Sequence, residues 1–314
     1  MSVITTVITP REMDPAFVHQ LLRSAPFQEE YYRYGSGIVA DLWSTRWSAM
    51  KDIRLAVPSL EEQSFIATFL DQETAQIDAF IADQEELIGL LTERRAATIS
   101  HAVTKGLDPT VPMKDSGIEW LGLVPQHWNL PRLAYLARCS SGLGIDLSSL
   151  EPSRSQAMPY PVYGGNGVVG YGPSQNIREG NIVIGRVGAL CGNVHSILEP
   201  SWVSDNALRL TIDPLKLDQG FLRDVISARR LNDLADKTAQ PLITGSLVMA
   251  QTIPVPPIDE QLSLVKFLGR ETAELDATIA DAREAITLSK ERRAALISAA
   301  VTGKIDVREH GAVA

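Results

Sequence analysis

The chain has 314 residues, 45% of them hydrophobic and 21% charged, with 29 Lys and Arg against 38 Asp and Glu for a net charge of −9. This composition excludes a disordered polymer, and the lack of any run of about 18–20 apolar residues excludes a helical membrane span. Acidity of this size also argues against a free-standing nucleic-acid binder, whose non-specific affinity comes from basic surface.

Two cysteines, Cys139 and Cys191, stand far apart without CxxC spacing. A disulfide framework is not expected, and a reducing cytoplasm is the default location. The start, MSVITTVITPREMD, has neither the basic opening nor the apolar core of a secretory leader. The length suits two domains.

Residues 1–56 come first and are balanced in charge. Within them Met13-Asp14-Pro15-Ala16-Phe17-Val18 lines up with Leu217-Asp218-Gln219-Gly220-Phe221-Leu222. Each stretch leads through a short helix to a Gly/Ser/Thr turn. Residues 1–56 therefore read as the tail of a domain like the later one.

Residues 57–108 read as a long helix that holds three basic and ten acidic side chains, much of the acid excess. Pro58 precedes it, and Ser59 with the acidic pair after it suits the positive end of a helix. Seam residues return at alternating steps of four and three: Ile77, Ile81, Gln84, Ile88, Leu91, Arg95, Thr98 and Ala102. This is a coiled-coil seam whose polar members can set register at some cost in stability. The same text recurs without a gap at 255–306, about half of the positions identical, with a seam of Leu275, Ile279, Ala282, Ile286, Ser289, Arg293, Leu296 and Ala300. Solenoid repeats stack on their neighbours, whereas these copies are separated by a whole domain, so the repeated unit is half a molecule. A coil between chains is one arrangement. Antiparallel pairing within one chain is the reading preferred here, because it sets the end of the first helix beside the start of the second, where one intervening domain can bridge them.

Between the copies, residues 109–254 carry twelve basic and twelve acidic side chains. Prolines punctuate this segment, and the apolar runs Asn181 to Leu190 and Asn206 to Ile212 read as strands among loops. Helical spacing recurs from Phe221 to Asp236. The fold class expected is α+β: a mixed α/β domain plus two long helices packed as an antiparallel coiled coil. Gly165-Asn166-Gly167-Val168-Val169-Gly170 matches the GxGxxG dinucleotide fingerprint. Pro159, Pro161 and Pro173 deny it the strand-to-helix setting, so it reads instead as a turn presenting Tyr163, Asn166 and Tyr171. The five histidines are scattered, and no nucleophile elbow, P-loop or HExxH occurs. No catalytic, metal or cofactor site is expected.

Several stretches together resemble the specificity subunits of type I restriction–modification systems over almost the whole chain. They are the helix starts Val57-Pro58…Glu62-Gln63 and Val255-Pro256…Glu260-Gln261, the Glu-Arg-Arg helix ends at 93–95 and 291–293, and the Ala-Val-Thr exits at 102–104 and 300–302. Gly117-Ile118-Glu119-Trp120-Leu121-Gly122…Pro125…His127-Trp128, Tyr160 to Gly167 and Gly185 to Val194 add to them. The resemblance implies a non-catalytic subunit whose two target-recognition domains each read half of a bipartite double-stranded DNA site. The paired helices would set the spacing and dock methyltransferase subunits, with a restriction and translocation subunit joining the complex. On that pattern the chain divides into a remnant of the first recognition domain at 1–56, a spacer helix at 57–108, a complete recognition domain at 109–254, a second spacer helix at 255–306 and a tail at 307–314. The first domain would be truncated. Two copies could then pair to supply two readers, or the chain could be a degenerate scaffold that docks methyltransferase subunits without reading a full site.

Arg and Asn/Gln side chains make bidentate pairs with guanine and adenine, while phosphate contacts only position a protein. The candidates for DNA contact are Tyr163, Asn166, Arg186 and Asn206 near the glycine-rich turns, and Lys237, Thr238 and Gln240 in the loop before the second long helix. Each has a plainer role open to it: Arg186 can pair with Asp205, Asn206 can satisfy a turn, and Tyr163 can pack. Arg229 and Arg230 read as a solvated face or phosphate contact, and Trp120 and Trp128 as core.

Overall fold

The computed structural model describes residues 9–35, 45, 47–235 and 241–308. They belong to two compact units, Met1–Leu91 with Ala277–Ala314, and Thr92–Asp276. Two long helices, α4 (Leu60–Lys105) and α7 (Ile258–Val301), contribute to both. Their preceding elements are α1 (Pro15–Arg23), α2 (Ala25–Arg33) and α3 (Trp47–Met50) before α4, and α5 (Gln219–Arg229) and α6 (Gly245–Met249) before α7.

In the first unit Ser59 caps α4, its Oγ accepting from the Glu62 amide at 3.3 Å. Near that start, Ile66, Ala67 and Leu70 share a buried cluster with Ile297, Ala300 and Val301 from the far end of α7, so the helices run in opposite directions. Phe17 and Leu21 of α1 complete the cluster. Asp14 caps α1 by accepting from the Ala16 and Phe17 amides, and Pro15 supplies a helical φ where no donor is needed. Buried Gln63 ties the two starts together: its Oε1 accepts from the Asp14 amide at 2.8 Å and its Nε2 donates to the Pro58 carbonyl at 2.8 Å.

The second unit repeats this joint with the helix ends exchanged. Ile99, Ala102 and Val103 of α4 share its main cluster with Leu264 and Leu268 of α7 and Phe221 of α5. Asp218 caps α5, and buried Gln261 accepts from the Asp218 amide at 2.8 Å while donating to the Pro256 carbonyl at 2.9 Å. Every seam residue of both copies is buried or half-buried, as a period near 3.5 requires. The α+β class and the antiparallel helix pairing both hold.

The rest of the second unit is built on sheets. A four-stranded antiparallel sheet has the order β3 (Ala137–Ser141), β9 (Ala207–Ile212), β6 (Asn181–Gly185), β7 (Val194–Ile197). Alternation along β6 sends Ile182 and Ile184 to the helical side, where Phe221, Leu222 and Val225 lie. Val183 points the other way, into a smaller cluster with Ile197, Val203 and Ala207. That face is covered by a three-stranded sheet of β5 (Gly167–Gly172), β4 (Tyr160–Gly164) and β8 (Trp202–Val203). A hairpin of β1 (Met113–Asp115) and β2 (Leu123–Pro125) opens the segment. The expected strands at 181–190 and 206–212 are present, shortened to their apolar portions. The helix expected over Phe221 to Asp236 stops at Arg229, because Arg230 adopts a left-handed conformation (φ 52°, ψ 62°) and the chain continues as a 3-10 turn at Leu231–Leu234. Trp128 is fully buried, and Trp120 is half-buried beneath the Arg229 guanidinium. Among the described residues no helix is long and apolar enough to cross a membrane.

Candidate nucleic-acid interface

Four of the expected contact residues are drawn together at one end of the two sheets, and glycines allow it. The β4–β5 turn carries Asn166, with Gly167 at φ +100°, a conformation L side chains rarely adopt. A Cβ on Gly185, at the end of β6, would overlap the Gly165 carbonyl. A Cβ on Gly165 would in turn lie 3.2 Å from the Val187 carbonyl and 3.3 Å from that of Asn206. Missing side chains thus bring the β4–β5 turn, the end of β6 and the β8–β9 turn into contact.

Within this cluster Asn166 is exposed and its Oδ1 accepts from Asn193 Nδ2 at 2.6 Å. Asn206 is exposed in the β8–β9 turn, and its carbonyl accepts from the Arg186 amide at 3.0 Å. The Arg186 guanidinium donates to Ser141 Oγ at 3.2 Å and makes no ion pair with Asp205, so that plainer role is not the one adopted. Tyr163 is half-buried on β4, its ring centroid 6.1 Å from that of His195. Burial is the main cause that raises the Tyr163 phenol, with Glu199 and Tyr171 adding to it. Burial lowers the neighbouring His195 imidazole below its ordinary 6.5, so at neutral pH that ring carries no charge.

Lys237, Thr238 and Gln240 lie outside the described residues. Just beyond them, the Pro241 carbonyl accepts from the Gly188 amide at 3.0 Å, and the Ile243 amide donates to the Arg186 carbonyl at 2.8 Å. Residues 241–243 therefore lie beside Arg186 at the end of the sheet. Arg229 is engaged, its Nε donating to Gln251 Oε1 at 2.8 Å while the guanidinium stacks on Trp120. Exposed Arg230 pairs with Asp233 at 3.3 Å.

Three members of the cluster escape a reading of the sequence: Asn193, His195 and Ser141. Asn193 lies inside a glycine-bounded stretch, which is a weak signal; Ser141 and His195 have none. Arg209 braces the site from below by donating to Ser140 Oγ at 2.8 Å and to the Asn176 carbonyl at 3.0 Å. The cluster offers amide, guanidinium and hydroxyl groups on turns, suited to hydrogen-bonding polar edges. Among the described residues no group of His, Cys, Asp and Glu is placed to hold a metal ion.

No family model matches the chain. It is 27% identical over 139 residues to the EcoprrI type I restriction enzyme specificity subunit of Escherichia coli, covering 44% of this chain and 34% of that protein. It is 22% identical over 293 residues to the MjaVIII type I restriction enzyme specificity subunit of Methanocaldococcus jannaschii, covering 82% of this chain and 63% of that one. The chain thus spans less than two thirds of either curated relative. Among solved structures, a chain from a study of assembly and conformational transition in the type I R-M system superposes with a TM-score of 0.71 at 15% identity, over 93% of this chain and 72% of that one. The S subunit of a type I restriction-modification system from M. genitalium gives 0.50 at 17% identity, over 92% and 73%.

Proposed function

We propose that this chain, which belongs to the specificity-subunit family of type I restriction–modification systems, reads one half of a bipartite DNA site through residues 109–254. The observation that carries this reading is the convergence of Asn166, Arg186 and Asn206 on three turns held in contact by Gly165 and Gly185. A rigid sheet that presents polar side chains from its turns can hold them in register with base edges, and bidentate Arg and Asn contacts discriminate among bases. Phosphate contacts would then fall to the arginines around the rim. In this reading the chain catalyses nothing. The paired helices dock methyltransferase subunits, a restriction and translocation subunit joins the complex, and the assembly works in the cytoplasm.

Methylome sequencing of a host that carries the chain with its methyltransferase subunit tests the proposal. Arg186→Ala and Asn166→Ala are each expected to relax or abolish one base of the methylated motif, at about 1–3 kcal/mol per lost bidentate contact. A motif unchanged by both substitutions refutes the assignment. A second reading, a scaffold that docks methyltransferase subunits without reading a full site, is favoured by one observation: the described residues of the first unit contain helices and no strand. Co-purification with a methyltransferase subunit in the absence of any methylated motif would decide for it.

A further inference from the structure

One glycine holds two loops of the candidate interface in place. The Gly185 amide donates to the Asn193 carbonyl at 2.8 Å, and the Gly185 carbonyl accepts from the Gly192 amide at 2.8 Å. The side chain that Gly185 lacks leaves room for the Gly165 carbonyl, which sets Asn166, next in the chain, near the same point. Each loop is pinned once more. Asn232 Nδ2 donates to the Ala189 and Cys191 carbonyls at 3.1 and 2.8 Å. On the other loop, a Cβ on Gly167 would lie 3.3 Å from the His195 ring.

Both asparagine side chains are exposed, and they meet across the loops, Asn193 Nδ2 donating to Asn166 Oδ1 at 2.6 Å. A carboxamide carries one NH2 donor group and one carbonyl acceptor. The bond engages the donor group of one amide and the acceptor of the other. Asn166 Nδ2 is left to donate and Asn193 Oδ1 to accept, and among the described residues neither has another hydrogen-bond partner. Turning both amides over reverses the bond and leaves the same complement, one donor group and one acceptor.

We infer, resting on the proposed reading of DNA by residues 109–254, that Asn166 and Asn193 act as one reader and that the base they read is an adenine in the major groove. Asn166 Nδ2 donates to N7, and Asn193 Oδ1 accepts from the N6 amino group. Adenine is the base that sets an acceptor beside a donor on that edge. Guanine shows two acceptors, cytosine a donor, and thymine an acceptor with a methyl group. Asn193 is thus a specificity-determining residue in its own right. A base that undergoes chemistry is taken out of the stack, so the adenine read in the groove is not the methylated base.

The full chain in complex with its methyltransferase subunit is the material for the test. Methylome sequencing should show Asn166→Ala and Asn193→Ala each relaxing the same adenine, at a position other than the methylated base. The rest of the motif should be kept, which also shows the variants folded. Duplexes with 7-deazaadenine (no N7 acceptor) or unsubstituted purine (no amino group at C6) at that position should bind the wild-type complex about fivefold or more weakly. Each variant should erase one of these two penalties and keep the other. Relaxation at a guanine, cytosine or thymine overturns the inference, and so does a motif that Asn193→Ala leaves intact. A single variant that erases both penalties overturns it too, since one amide would then be the reader. These three outcomes leave the reading of DNA by the domain standing. A motif unmoved by Asn166→Ala, by Asn193→Ala and by Arg186→Ala refutes both.

Discussion

Gly185 has to lack a side chain because the Gly165 carbonyl fills the space its Cβ would need, and that contact brings Asn166 and Arg186 to the same end of the domain. Residue type alone marked Tyr163, Asn166, Arg186 and Asn206 as candidates, since amides and guanidinium groups next to glycine turns suit base edges. Type could not reveal the bond from Asn193 to Asn166, which joins two loops, nor the seating of His195 beside Tyr163. His195 makes a testable difference. Its folded pKa lies below the unfolded value of 6.5, so the unfolded chain binds more protons around and below that pH. The stability it contributes is complete above 6.5 and is lost as pH falls through 6.5 toward the folded value. Urea midpoints of the second unit measured from pH 8 to pH 5 should therefore fall, and His195→Phe should flatten that fall. An equally steep decline in the variant would show that other groups cause it.

At the scale of elements, the duplicated helices carry a pair of equivalent ion pairs. Arg95 reaches Asp276 at 2.8 Å, and Arg293 reaches Asp78 in a two-bonded arrangement at 2.9 and 3.1 Å. Each joins a polar seam position to the residue beside the facing apolar seam position, so sliding one helix by a turn would break both. In each pair the aspartate is solvated while the arginine is partly buried; pairs of this kind at a surface stabilise by about 1 kcal/mol or less, which makes register rather than stability their main contribution. Asp78→Arg is expected to lower the thermal midpoint by placing two like charges together. Adding Arg293→Asp should restore most of it, as a double-mutant cycle would show. No recovery in the double variant would mean that the pair does not couple the helices. The long helices were legible because their period of 3.5 is written in consecutive residues. The end of α5 was not, since Leu231 and Leu234 continue the apolar spacing while Arg230, just before them, turns left-handed.

For the molecule as a whole, net charge and the proposed function pull in opposite directions. Residues 109–254 are electrically balanced while residues 57–108 hold ten acidic against three basic side chains. The isolated chain is thus expected to bind DNA weakly and with little salt dependence, because few phosphates are neutralised. With a methyltransferase subunit present, affinity should rise and fall steeply between 50 and 200 mM salt, on the order of the thousandfold seen for proteins with many phosphate contacts. Gel-shift titrations with and without that subunit measure the difference, and tight binding by the chain alone would contradict it. What the sequence by itself determined was the duplication and the seam, because helical order rests on contacts three and four residues apart and an internal copy needs no outside reference; the opposed direction of the two helices was preferred there and settled by the clusters they share. Only the tertiary structure decided which polar side chains meet at the turns. Strand partners such as Ser140 and Arg209 are far apart in the chain, and their register depends on the packing of both sheet faces, which no local pattern records.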